Sequence, residues 1–304
     1  MIAALLLSYD NFFHRQVPPH LIAIVRIALG AFVLLYWLTE WSDARLFSAE
    51  GLLFPLQNFN GTLGYAIFHP PLWFVYVFFA TTFLLLLFFT AGFFTRTSAF
   101  LILMAFAYFH YLSQWQFTAS FYRLFSFGFL VFLLPGSDRA FSAAMLLKHG
   151  SLFAWEPVSI FSQRVFSLQV TATYFCVSWQ KLFMPQWYSG TILLQGFTGR
   201  WATPFGFWLA RSLPRPVIDL MLLGTVAAEC LMPFGLWIRR AQPFFFVFGF
   251  LFHTMITLTM NIWWFQFLIP LYIVFLDPND VFHYVRKRSR GLIESTPFTQ
   301  HSRV

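Results

Sequence analysis

The chain has 304 residues, of which 59% are hydrophobic and only 10% are charged. Water-soluble domains carry about 25% charged residues, so this balance excludes an ordinary soluble protein and indicates a protein dissolved in lipid. The net charge of +8 does not indicate nucleic-acid binding, because the basic residues stand at the ends of apolar segments instead of forming a stripe. Cys176 and Cys230 both lie in apolar segments and predict neither a disulfide framework nor a metal site.

Eight apolar segments follow one another along the chain, and a helix that crosses a bilayer needs about 20 such residues. The first six are predicted at residues 21–38, 71–94, 98–111, 119–134, 165–182 and 217–238. The last two divide residues 241–276, which carry no formal charge, at a turn marked by Asn261, Trp263 and Trp264. The eighth is short and contains Pro270, so it is either a span or a re-entrant segment. The sequence therefore predicts an all-α polytopic integral membrane protein with about eight transmembrane helices.

The distribution of lysine and arginine predicts that both ends of the chain lie in the cytoplasm. With the N-terminus inside, the cytoplasmic side receives Arg15, Arg96, Arg139, Lys148, Arg164, Arg239, Arg240, Arg286, Lys287, Arg288 and Arg290. The opposite side receives fewer basic residues, namely Arg45, Arg200, Arg211 and Arg215. Two larger loops, residues 39–70 and 183–215, are predicted on that outer side.

Three regions follow from this topology. Residues 1–17 are interpreted as a cytoplasmic or interfacial segment and not as a signal peptide, because no basic region precedes their short apolar stretch and no small-residue cleavage site follows it. Residues 18–280 form the transmembrane domain. Residues 281–304 form a basic cytoplasmic tail that we expect to contact anionic lipid.

Five ionisable residues fall inside the predicted spans: Arg26, Arg123, Lys181, Glu229 and His253. A charge there costs about 2.5–3.5 kcal/mol on insertion scales, so such a residue usually has a partner or faces a wet cavity. Glu229 lies near the middle of its span and is predicted either to be protonated or to form a structural pair with Arg26. Simpler alternatives are that Lys181 and Arg123 extend to the headgroups and that His253 is a packing residue.

Three of these residues, Lys181, Arg123 and His253, are predicted at a similar depth near the outer face. A lysine in apolar surroundings is more readily neutral and can then act as a proton-abstracting base. Trp179, Trp187 and Tyr174 flank Lys181 in the sequence and are placed to wall a pocket for a flat apolar ligand. The sequence therefore predicts Lys181 and His253 as catalytic residues, with Arg123, Trp179 and Trp187 as ligand-binding residues.

Four stretches match a known family in order and spacing. They are residues 26–30 (RIALG), 95–97 (TRT), 174–190 (YFCVSWQKLFMPQWYSG) and 252–255 (FHTM). Together they resemble the HTTM (horizontally transferred transmembrane) family, the membrane domain shared with vitamin K-dependent γ-carboxylase. The resemblance covers roughly residues 18–280, and its most specific part is the Lys-Leu pair followed five residues later by Trp.

The resemblance implies a role for Lys181 and a quinol as cofactor. In the γ-carboxylases the matching lysine is the base linked to oxidation of vitamin K hydroquinone, and the strong base formed there abstracts a proton from a glutamate side chain that attacks CO₂. The chain departs from the carboxylases at residues 114–118, where their Asn-Asn-His element has no histidine counterpart, and a large lumenal domain like theirs is not expected. The resemblance therefore implies a bacterial relative of undefined activity in the cytoplasmic membrane.

Three functions stay open at this point. The first is a quinol-linked or other lipid-substrate enzyme, related to the γ-carboxylases, with Lys181 as base. The second is a non-catalytic membrane partner, such as an assembly or protection factor, that keeps the fold. The third is a small-solute transporter, although transporters favour internal repeats and none is visible here. The expected partners are membrane lipid and a quinol, and the sequence identifies no protein partner.

Overall fold

The computed structural model describes residues 9–50, 70–112, 120–189 and 191–288, and regular structure in these ranges is almost entirely helical. A single antiparallel pairing between β1 (Gln16–Val17) and β2 (Val158–Ser159) is the exception there. The predicted all-α class is therefore confirmed. The chain divides into two compact units, unit 1 (Met1–Gln163 with Asp277–Val304) and unit 2 (Arg164–Leu276).

The helices with both ends described are, in chain order, α1 (His20–Trp41), α2 (Leu72–Ala91), α3 (Thr95–Leu112), α4 (Ser120–Val131), α5 (Ala143–His149), α6 (Phe161–Lys181), α7 (Pro185–Tyr188), α8 (Thr191–Thr198), α9 (Pro204–Ser212), α10 (Arg215–Trp237), α11 (Gln242–Met260), α12 (Leu268–Leu271) and α13 (Pro278–Arg288). Short 3₁₀ helices cover Ala44–Phe47, Trp263–Phe267 and Tyr272–Phe275. The predicted outer loop at residues 183–215 thus contains three short helices, α7 to α9.

Four described helices, α1, α2, α10 and α11, are long and apolar enough to cross a membrane. α3 and α6 are 18 and 21 residues long but are not among these four. The predicted break at Asn261 is confirmed, because this residue has a left-handed φ of 51° and ends α11. Short helical pieces follow it in place of one long helix. The count of eight spans and the orientation stay predictions.

The outward surface of α2 is apolar, as lipid contact requires. Val75, Phe79 and Phe89 are buried in unit 1, while Trp73 and Leu84 are exposed on the other side of the helix. An exposed apolar face of this kind would aggregate in water but is stable against acyl chains. This arrangement agrees with an integral membrane protein.

Stacked aromatic rings form the core of unit 1. The fully buried Trp37 of α1 stacks on Phe79 of α2 and Phe106 of α3, with ring centroids 4.6 and 5.8 Å apart. Its indole Nε1 donates a hydrogen bond of 3.0 Å to the carbonyl oxygen of Phe79. Because Trp37 satisfies its one polar group on a neighbouring helix, it fixes α1, α2 and α3 to one another.

Glu156, which lies outside the predicted spans, contacts three basic side chains. Glu156 accepts hydrogen bonds from Lys148 and Arg139, and His149 Nε2 lies 3.0 Å from its Oε1. The bond from Lys148, together with those from His149 and Arg139, lowers the pKa of Glu156 to about 2. The carboxylate therefore stays charged through the physiological pH range and ties α5 to the segment before β2.

Candidate functional site

The helix α6 turns its polar side chains toward the interior of unit 2. Its buried face carries Ser167, Tyr174, Ser178 and Lys181, whose spacing of three, four and seven residues places them along one side of a helix. The opposite face exposes Leu168, Phe175 and Trp179. This is the reverse of a soluble amphipathic helix, and it is typical of a membrane helix that lines a polar interior.

Lys181 and Glu229 form an ion pair in unit 2. The Nζ of Lys181, at the end of α6, donates a hydrogen bond to Oε2 of Glu229 on α10. Their side chains are only 13% and 10% exposed. The same Nζ lies 4.2 Å from the ring centroid of Trp187, on the helix α7 that Pro185 begins. Each charge has its partner in apolar surroundings, which is the condition under which a buried pair is tolerated.

A second buried polar group in unit 2 joins three rings. The hydroxyl of Tyr174 lies 2.8 Å from Nε2 of His253 and 2.5 Å from the hydroxyl of Tyr272. Nδ1 of His253 has no hydrogen-bond partner among the described residues, although the side chain is buried. Leaving such a group unsatisfied costs about 1–3 kcal/mol. Gly249 makes room for this cluster, since a Cβ there would lie 2.5 Å from the ring of Tyr272.

The predicted pair of Arg26 and Glu229 is corrected by the structure. The guanidinium of Arg26, fully buried in unit 1, donates hydrogen bonds to the carbonyl oxygens of Ser137 and Phe141, the latter at 2.6 Å. Glu229 bonds to Lys181 instead. The sequence was misleading here because it shows only charged side chains as candidate partners for Arg26. A guanidinium can also donate its hydrogen bonds to the backbone carbonyl oxygens of a loop.

Gly92 shapes the surroundings of Arg26. This residue follows α2 with a left-handed φ of 72°, and a Cβ there would overlap the side chain of Ser142 and lie 2.8 Å from the guanidinium carbon. Ser142 in turn begins α5 by accepting a hydrogen bond of 3.1 Å from the backbone N–H of Met145. The absence of a side chain at Gly92 thus lets the guanidinium reach the loop carbonyls.

The remaining predicted residues lie elsewhere. Trp179 is on the exposed face of α6 and stacks on Phe175 at 6.0 Å, so of the two predicted tryptophans Trp187 is the one that contacts Lys181. Arg123 is exposed on α4 in unit 1, and its ligand-binding role stays a prediction. The described residues do not include 1–8, 51–69, 113–119, 190 and 289–304. Residues 114–118, where a family histidine element was sought, and most of the basic tail lie in these ranges.

Sequence reasoning missed Tyr272, and it named Tyr174 only as a residue beside Lys181. A tyrosine in an apolar segment carries a hydroxyl that needs a partner, and this was the available signal. It does not say which partner, because Tyr174 and Tyr272 are 98 residues apart.

Comparison with known protein families gives a match over most of the chain. The family model described as the HTTM domain matches residues 14–279, a range that includes the Lys181–Glu229 pair and the ring cluster. Neither the curated proteins nor the solved structures contain a significant match.

Proposed function

This chain belongs to the HTTM family, and from that premise we propose an enzyme of the bacterial cytoplasmic membrane that moves a proton between a lipid-phase substrate and the Lys181–Glu229 pair. The observation that carries the proposal is the pair itself. An amine and a carboxylate in hydrogen-bond contact, both mostly buried, can exchange a proton with little rearrangement. Ionisable groups held inside a membrane domain are a functional-site hypothesis by default.

Lys181 is the base in this proposal, and Glu229 is its proton acceptor. Transfer of one proton from Nζ to Oε2 converts the ion pair into a neutral amine and a carboxylic acid. The amine then takes a proton from a substrate hydroxyl. Lys181 ends as an ammonium, Glu229 stays a carboxylic acid, and the substrate oxygen carries a negative charge. Trp187 contributes a flat wall and attracts the ammonium by a cation–π contact.

A quinol is the substrate class that suits these residues best. Its hydroxyl supplies the proton, and its flat ring and apolar tail match a tryptophan wall in a lipid-embedded protein. In the non-catalytic alternative, the Lys181–Glu229 pair only stabilises the fold. The enzyme and the non-catalytic protein differ in whether a quinol reaches Lys181.

Quinol access can be measured at Lys181 with an apolar amine-reactive probe on the full chain in lipid nanodiscs. A short-chain quinol at about ten times its dissociation constant should slow labelling of Lys181 about tenfold, because only about a tenth of the sites stay free. The exposed Lys148 is the internal control and should label at an unchanged rate. Labelling of Lys181 that no quinol slows would leave the pair structural and support the non-catalytic alternative.

We also propose that both ends of the chain lie in the cytoplasm, as the basic residues predict. A reporter that is active only in the cytoplasm should then be active when fused after Val304. A reporter that is active only outside should be active when inserted after Glu50, which is exposed beyond α1. The reverse activity at both sites would overturn this orientation.

A further inference from the structure

The helix α9 lies at the ends of two candidate membrane spans of unit 2, α10 and α11. Just after α9 ends at Ser212, the span α10 begins at Arg215. The start of α9 is fixed to the last turn of α11. There the hydroxyl of Thr203 donates a hydrogen bond of 2.5 Å to the carbonyl oxygen of Leu258, and its backbone N–H donates one of 3.1 Å to that of Thr259. A helix attached to two spans where they end lies at the membrane surface.

Gly206 lets α9 pack closely on α11. A Cβ at this position would lie only 2.1 Å from the carbonyl oxygen of Thr259, a distance that real side chains do not reach. Gly206 and Leu209 are buried, and their spacing along the chain places them on one face of the helix. Backbone contact therefore fixes the position of α9 at the end of α11.

The exposed surface of α9 is aromatic and basic. Phe205, Phe207 and Trp208 are 40%, 46% and 57% exposed, and the rings of Phe205 and Trp208 stack with their centroids 5.8 Å apart. The guanidinium carbon of Arg211 lies 5.5 Å from the ring centroid of Phe207. Exposed rings at this density would aggregate in water, whereas aromatic side chains are enriched where a protein meets the headgroup layer of a bilayer.

The turn before α9 repeats this arrangement. The guanidinium carbon of Arg200 lies 4.7 Å from the ring centroid of Trp201, which is exposed and packs edge-on against Trp264 at 5.5 Å. A guanidinium held over a ring still presents its N–H groups at its edge, and this planar set of donors matches the oxygens of a phosphate. Two such guanidiniums, those of Arg200 and Arg211, stand beside exposed rings.

The charge of this segment is entirely positive. Residues 183–215 contain three arginines and no acidic residue. Arg215 is paired with Asp219 at 3.0 Å, so Arg200 and Arg211 bring the remaining positive charge to the surface. A partner that complements this surface must offer a negative group next to extended apolar area. An anionic phospholipid supplies both in one molecule, through its phosphate and its acyl chains.

We propose that this surface binds the headgroup of an anionic phospholipid, with the phosphate at the two guanidiniums and the upper acyl chains against the exposed rings. The surface, called the α9 surface below, consists of Arg200, Trp201, Phe205, Phe207, Trp208 and Arg211. A zwitterionic lipid fits it less well, because its cationic group is repelled by the same arginines. The proposal depends neither on the chemistry of the Lys181–Glu229 pair nor on which side of the membrane α9 faces.

Photo-cross-linking of the full chain in phosphatidylcholine nanodiscs tests the α9 surface. A trace of phosphatidylglycerol or of phosphatidylcholine carries a diazirine in its acyl chain, and mass spectrometry measures the yield on peptides that contain α9. In the unsubstituted chain the yield should be higher for phosphatidylglycerol. Arg211→Gln should lower the ratio of the two yields about fivefold, and Arg200→Gln should do the same, because each removes one positive charge at the headgroup.

The matched control is Arg45→Gln, which removes an exposed arginine from unit 1 that has the acidic residues Glu40, Asp43 and Glu50 near it in the sequence. It should leave the ratio on α9 unchanged. A ratio of one in the unsubstituted chain would refute the proposal, as would a ratio that neither Arg200→Gln nor Arg211→Gln lowers. An α9 that no lipid labels, but that cross-links to a second protein chain, would also refute it and assign the surface to a protein partner.

Discussion

Removal of either member of the Lys181–Glu229 pair is expected to lower the free energy of unfolding by about 3–5 kcal/mol, because the remaining charge is left buried without its partner. Lys181→Met and Glu229→Gln are the single substitutions, and both keep a side chain of similar size. The double variant should recover most of the loss, since it buries no charge at all. The measurement is unfolding of each variant by transfer from mild detergent into SDS micelles.

Asp219→Asn is the matched control for Glu229→Gln. It also removes a carboxylate from α10, but Asp219 is 48% exposed and its partner Arg215 lies one turn away on the same helix, at 3.0 Å. An exposed pair of this kind contributes at most about 0.5 kcal/mol, so the control should be nearly neutral. A double variant as unstable as the sum of its two single variants would show that Lys181 and Glu229 do not interact.

The helices that match long apolar segments could be predicted from the sequence. The segment at residues 71–94 contains α2, and the uncharged segment at 241–276 is divided at Asn261 as expected. Length and hydropathy decide such elements, and both can be counted in the sequence. The short helices α7 to α9 were missed within a predicted loop, although Thr203 followed by Pro204 is a recognised helix start.

The candidate site could be predicted only in part. Lys181, Glu229 and His253 were identified as buried ionisable groups because charge is rare in apolar segments. Their partners could not be deduced, since pairing depends on how helices pack and not on their order. Glu229 lies 48 residues from Lys181 in the sequence, and nothing in the spacing favours that partner over Arg26. The backbone carbonyls that bind Arg26 cannot be identified from the sequence, because every residue has one.

The substitution Arg26→Gln should lower the free energy of unfolding by about 3–5 kcal/mol. The guanidinium makes charge-assisted hydrogen bonds to the carbonyls of Ser137 and Phe141, each worth about 1.5–3 kcal/mol, and a shorter amide side chain cannot reach both. Arg123→Gln, which changes an exposed arginine in the same unit, is the control and should stay within about 0.5 kcal/mol of the unsubstituted chain. Both variants can be measured by the same detergent titration.

Combining Arg26→Gln with Glu229→Gln separates the observed partners from the pair that the sequence predicted. Because Arg26 holds backbone carbonyls of unit 1 and Glu229 holds Lys181 in unit 2, the two losses should add to within about 0.5 kcal/mol. A structural pair of Arg26 and Glu229 would behave differently, since the second substitution would then remove the charge that the first had left unpaired and would restore stability. Recovery in the double variant would therefore contradict the partners found for both residues, whereas additive losses would establish two independent buried charge sites in the membrane domain.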